Sequence, residues 1–89
     1  MRILLAPRFA KRLKRLHSSE KKILDRQVSK LIESPTIGDP KVGDLAGIYI
    51  YKFKMKDQLW LIAYEVESKN SMTLLAMGPH ENFYRDLKR

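Results

Sequence analysis

Apolar residues recur along this chain with two different periods, and the change from one to the other falls at a single loop. A short run from Arg2 to Ala6 reads as a strand and ends at Pro7; Phe9, Leu13 and Leu16 then follow at i, i+4 and i+7. That spacing predicts a helix with these three on its buried side, and Pro7 is tolerated in the first turn because an amide there has no helical partner. Arg8, Lys11, Arg12, Lys14 and Arg15 cover the opposite surface. Ser18 or Ser19 can cap a second helix, in which Ile23, Leu24, Val28, Leu31 and Ile32 form the apolar stripe. Pro35 stops it near Ser34, since the residue before a proline is pushed out of helical geometry. So short a connection makes the two helices an antiparallel hairpin.

The stretch SPTIGDPKVGDLAG is rich in proline and glycine and reads as loop. Beyond it the period becomes two. In IYIYKFKM, Tyr49, Tyr51, Phe53 and Met55 fall on one face, and Ile48, Ile50, Lys52 and Lys54 on the other. Lys56-Asp57 supplies a turn, and LWLIAYEV is apolar on both faces, as a central strand would be. SKNS turns again, Met72 to Met77 makes the last strand, and a Gly-Pro turn leads to a short C-terminal helix. The predicted fold is α+β in the order β-α-α-β-β-β, one domain over residues 1–89. An N-terminal strand is followed by a two-helix antiparallel hairpin packed on an antiparallel sheet.

Charge changes this picture more than size does. Eighteen Lys and Arg against ten Asp and Glu leave +8, a field that attracts nucleic acid, an acidic protein or anionic lipid. A merely solvated basic surface is the plainer alternative. With no cysteine, disulfides, zinc–thiolate sites and thiol catalysis are excluded, which fits the cytoplasm. The longest apolar stretch, Leu59 to Tyr64, is about a third of a membrane span, and the N-terminal apolar part is too short for a signal peptide. Two distant histidines and scattered carboxylates match no metal-ligand spacing, and no glycine loop cradles phosphate.

Two groups of residues carry candidate chemistry. Lys52 and Lys54 project from one strand face about 7 Å apart, so that face meets water or an anion. They protect an edge strand, or, with Ile48 and Ile50 beside them, they line a groove. His80 follows the last strand; it caps a helix or transfers protons. Tyr84 lies one helical turn further on, with Glu81 and Arg85 between and beside. His17 reads as an exposed helix residue.

In these features the chain resembles the RelE/ParE superfamily of bacterial type II toxin–antitoxin toxins. The resemblance runs over GDLAG, KFKM, LIAYEV and the closing LLAMGPHENFYRDLKR. It implies one of two activities. RelE- and YafQ-like members are mRNA interferases that cut messenger RNA on the ribosome; ParE-like members poison DNA gyrase. A toxin reduced to a DNA-binding corepressor with its antitoxin is a third reading. The lysines, His80 and Tyr84 match the nuclease branch. The resemblance then implies an endoribonuclease without metal or cofactor, in which the 2′-hydroxyl attacks its own phosphate. His80 is the acid, Lys52 and Lys54 stabilise the phosphoryl charge, and Tyr84 stacks on a base or assists proton transfer. The general base is Asp39 or one of the lysines. Arg85, Arg12, Arg15 and Lys11 hold the RNA. The central strand departs from the family pattern by carrying Leu61 where an arginine is usual. Implied partners are a cognate acidic antitoxin, mRNA on the ribosome, and operator DNA only through the antitoxin complex, with no membrane.

Overall fold

The computed structural model describes residues 1–81 and 83–87, apart from the side chains of Arg85 and Asp86. In chain order its elements are β1 (Arg2–Leu5), α1 (Pro7–Arg15), α2 (Ser18–Glu33), β2 (Asp39–Pro40), a single 3-10 turn (Gly43–Leu45), β3 (Tyr49–Met55), β4 (Gln58–Ser68), β5 (Ser71–Pro79) and α3 (Phe83–Leu87). The strands make one sheet in the order β1-β5-β4-β3-β2. The β3-β4-β5 meander is antiparallel, as the short turns require, with the doubly apolar β4 at the centre. β1 adds to β5 in parallel, Arg2 opposite Ser71 and Leu5 opposite Leu74. A parallel neighbour needs a long crossover, and here nearly the whole chain supplies it.

α1 and α2 cover one face. Phe9, Leu16, Leu24 and Leu31 pack on Phe53, Met55, Trp60, Ile62, Tyr64, Met72, Leu74 and Met77. Ile32 was expected in this stripe but is exposed. A step of 100° per residue carries it to the margin once Leu24, Val28 and Leu31 define the buried direction. The cap of α2 is also not a serine. His17 takes the N-cap position, and its amide donates to the Glu20 carboxylate at 2.8 Å, so Ser18 and Ser19 lie inside the first turn.

Tyr64 fastens the loop after α2 to this core. Its hydroxyl donates to the Pro35 carbonyl at 2.8 Å and accepts the Gly38 amide at 3.0 Å. The ring stacks on Tyr49 with centroids 5.3 Å apart. Gly38 must be glycine for this approach: a Cβ there would stand 2.8 Å from the Tyr64 hydroxyl and 3.0 Å from the Ile50 carbonyl oxygen. Burial raises the Tyr64 phenol above its ordinary pKa of 10.0.

The last strand outruns its sequence signal. Gly78 and Pro79 do not form a turn but continue β5, opposite Leu61 and Trp60. Beyond Leu74 no β1 residue pairs with β5, so this half is an edge, where a proline removes no ladder bond. The His80 amide then donates to the Leu59 carbonyl at 2.9 Å and carries the pairing one residue further.

Candidate functional site

Among the described residues the second face of the sheet is only half covered. Phe83 of α3 closes over Ile50, Leu61, Ala63 and Ala76, with Ile48, Leu75, Tyr84 and Leu87 packed around them. Where this cover ends, the strand alternation leaves Lys52 and Lys54 exposed on the same face as Ile50. Their register partners on β4 are Leu61 and Leu59. Leu59 in turn bonds to His80, so one row across three strands reads Lys54, Leu59, His80. Two strand spacings separate the backbones of Lys54 and His80 by roughly 10 Å. Both side chains are long enough to reach one phosphate held between them.

Tyr84 completes the far wall. A turn brings it back, with the Phe83 amide donating to the His80 carbonyl at 3.2 Å, and the His80 and Tyr84 rings meet edge-to-face at 6.3 Å. The pair expected from spacing alone is therefore brought together. Lys41 joins it from outside the expected set, its ammonium 5.7 Å above the Tyr84 ring centroid. Its amide donates to the Ile48 carbonyl at 2.9 Å, which extends the β2–β3 register and puts Lys41 on the same face as Lys52. Lys41 sits in a stretch that reads as loop, so no periodicity in the sequence marks it.

Leu61, the position at which the central strand was expected to depart from the family pattern, is fully buried in the cluster under Phe83. A cation there would lose its water, so the apolar residue and the α3 cover belong together. Asp39 faces the same side, opposite Ile50, but stands three strands and about four residues of rise from His80, roughly 20 Å away. The Arg85 side chain lies outside the described residues.

The cations of α1 occupy a different place. Arg8, Lys11, Arg12 and Arg15 line a notch of about 520 Å³ at the open half of β5, with Ala76, Met77, Gly78 and Pro79 as its floor and Phe83 and Leu87 as its other wall. Arg12 lies 5.1 Å over the Trp60 ring, on the helix-covered face. Tyr84 and Lys41 are not among the residues that line it. Of the expected RNA-binding residues, Lys11, Arg12 and Arg15 therefore line this notch rather than the strip that carries Lys52 and Lys54.

The family model of ParE-like toxins of type II bacterial toxin–antitoxin systems matches residues 3–88. The isolated E. coli RelE toxin is similar in structure, with a TM-score of 0.67 and 21% identity over 99% of this chain and 96% of that one. A mutant of E. coli RelE in the free state gives a TM-score of 0.73 at 18% identity, covering 98% and 90% of the two chains. The toxin of the intact E. coli RelBE toxin–antitoxin complex gives 0.67 at 20% identity, covering 86% and 93%. No curated protein matches in sequence. Among the described residues no helix is long and apolar enough to cross a membrane.

Proposed function

The chain belongs to the ParE-like toxin family of type II toxin–antitoxin systems, and from that premise we propose that its toxicity is endoribonuclease activity on messenger RNA at the ribosome. What supports this reading is one row of the sheet: Lys54 and His80 flanking Leu59, with Lys52 beside them and Tyr84 against the His80 ring. Gyrase poisoning by surface contact gives no reason for a histidine and two lysines to converge on a solvent-open strip.

RNA cleavage without metal needs little more than such a strip. The 2′-hydroxyl oxygen bonds to the adjacent phosphorus, its proton passes to a base, and the bond to the 5′-oxygen breaks. That oxygen takes a proton from His80, leaving a 2′,3′-cyclic phosphate and a 5′-hydroxyl. Lys52 and Lys54 hold the charge that grows on the phosphoryl oxygens. A base must lie within hydrogen-bond reach of the proton it takes. Asp39 is too far from His80 to share one phosphate with it, which leaves Lys52 or Lys54 as the candidate base, its neighbour then holding the phosphoryl charge. Tyr84 offers a ring face on which an unstacked base rests. RelE is known in complex with the antitoxin RelB. By that likeness, and by the charge of +8, the partner here is an acidic antitoxin.

The test is His80→Gln, which keeps a polar group of similar reach but cannot protonate a leaving oxygen. Primer extension on a translated message should show cleavage reduced about 10²–10⁴-fold with thermal stability unchanged. Full cleavage by the folded variant would remove His80 from the mechanism. The family description keeps the gyrase reading in play: no cleavage by the wild type, together with a DNA-damage response, would decide for it.

A further inference from the structure

Lys41 stands on the open face of the sheet without a part in the row proposed for cleavage, and the fold fixes its place. The hairpin between β2 and β3 is closed by the 3-10 turn at Gly43–Leu45, with φ 67° at Gly43 and 89° at Gly47. Glycine adopts these angles at little cost. The chain thereby doubles back, so that the Lys41 amide donates to the Ile48 carbonyl and the Ile48 amide to the Leu45 carbonyl. Val42 is turned into solvent, 87% exposed, while Lys41 stays half-buried over the sheet. Among the described residues the partner of its ammonium is the Tyr84 ring and not a carboxylate.

A ring and an ammonium side by side match the two ends of a nucleotide, a base with a flat face and a phosphate with a charge. Tyr84 stands between Lys41 at 5.7 Å and His80 at 6.3 Å, so ammonium and imidazole are no further apart than these two distances end to end. That is the span of neighbouring nucleotides rather than of one phosphate. The cleavage step says which nucleotide lies there. His80 protonates the 5′-oxygen of the nucleotide downstream of the cut, and Tyr84 is the ring against His80. We infer that Lys41 and Tyr84 form the subsite for that downstream nucleotide: Tyr84 stacks on its base and Lys41 holds its 3′-phosphate. In the free protein the ammonium rests on the ring instead. The RNA strand then runs from the lysines of β3 past His80 and over α3 toward β2. The order of the nucleotides rests on the nuclease reading proposed above; the pairing of ring and cation with base and phosphate does not.

The experiment measures affinity for a 2′-O-methyl single-stranded RNA of about eight nucleotides, which cannot be cut, over a series of salt concentrations. Lys41→Met keeps an apolar stem against the ring and removes the charge. Binding at low salt should weaken about tenfold, and the slope of log affinity against log salt should flatten by about 0.7, the loss of one phosphate contact on a single strand. Lys41→Arg should restore both. Lys22→Met, which removes an exposed cation from α2 on the other side of the sheet, should leave both near wild type. Tyr84→Leu should weaken binding without changing the slope. Thermal melting of each variant separates these losses from unfolding. Unchanged affinity and slope in Lys41→Met, no binding by the wild type at low salt, or an equal loss in Lys22→Met would overturn the inference. On a translated message, a neutral methylphosphonate in place of the downstream nucleotide's 3′-phosphate should raise KM about tenfold for the wild type and add nothing for Lys41→Met. Losses that multiply would overturn the assignment of Lys41 to that phosphate. A wild type that binds the RNA as described yet cuts no message would overturn the nuclease reading and leave the subsite standing.

Discussion

The two faces of the sheet differ in what they ask of their side chains. On the helix-covered face Phe9, Leu24, Leu31, Ile62, Tyr64, Met72 and Leu74 are each at most 2% exposed. On the other face α3 covers half, and the next two inward-outward steps of β3 are Lys52 and Lys54, both exposed. One strand therefore serves both: Phe53 and Met55 anchor it while the lysines between them stay in water. The difference teaches that along the end of β3 the anchoring residues and the lysines proposed for the chemistry alternate, so Lys52 and Lys54 can be altered with little effect on the core beneath Phe53 and Met55.

The strongest way to break that division is to remove the lysines. Lys52→Ala with Lys54→Ala should lower RNA cleavage by about 10²-fold or more, since even one lost charge-stabilising donor has that effect. Unfolding free energy should change by no more than about 0.5 kcal/mol for each site. Growth arrest and urea denaturation, measured on the same variant, check both halves. A folded double variant with full toxicity would end the assignment.

The helix-covered face should respond in reverse. Leu31 is completely buried among the helix-face residues, and Leu31→Ala should destabilise by about 2–5 kcal/mol through lost transfer energy and the cavity left behind. Cleavage per folded molecule should be unchanged at a temperature where the variant remains folded. A drop in rate matching the lysine variant, in fully folded protein, would mean the faces are coupled.

Tyr64 sharpens the comparison at the boundary between core and loop. Tyr64→Phe strands the Gly38 amide and the Pro35 carbonyl, for about 1–3 kcal/mol by loss of buried partners. Its pH dependence has a definite sign. Burial raises the folded-state pKa above the ordinary 10.0, so the native chain holds this proton more tightly than the unfolded chain does. The resulting stability is fully present below the unfolded value and is lost as pH rises from there through the folded value. Thermal melts of wild type and variant should therefore converge on the alkaline side. A gap that stays constant there would exclude the phenol as its cause.

How much of this was legible depends on whether a property is local. The parity of β3 could be read from IYIYKFKM because a strand alternates whatever surrounds it. The His80–Tyr84 pair was legible for the same reason, since one turn of chain suffices to bring four residues together. The Gly78-Pro79 continuation of β5 was not, because a proline fits there only where β1 has stopped pairing, and that partner lies more than sixty residues away in sequence. Lys41 escaped because a two-residue strand gives no period to detect. The α1 cations were legible as a charged helix face but not as a notch apart from the lysines, since α3 decides that division.

The smallest expected effect lies in the turn that joins the two informative strands. Met55 pairs with Gln58, so Lys56 and Asp57 form a two-residue hairpin loop, and Lys56 has φ 58°. Such loops with a positive φ at the first central position favour glycine, because a Cβ there crowds the backbone. Lys56→Gly relieves the crowding but frees the unfolded chain, so the two effects partly cancel. A net stabilisation of about 0.5 kcal/mol is expected, with the β3–β4 register held. Lys56 lies past the end of the row proposed for cleavage, and its removal subtracts a cation without touching Lys52 or Lys54. Cleavage should then be unaltered while stability rises slightly. A loss of cleavage comparable to that of the Lys52→Ala, Lys54→Ala variant would extend the functional face into the turn and redraw its boundary.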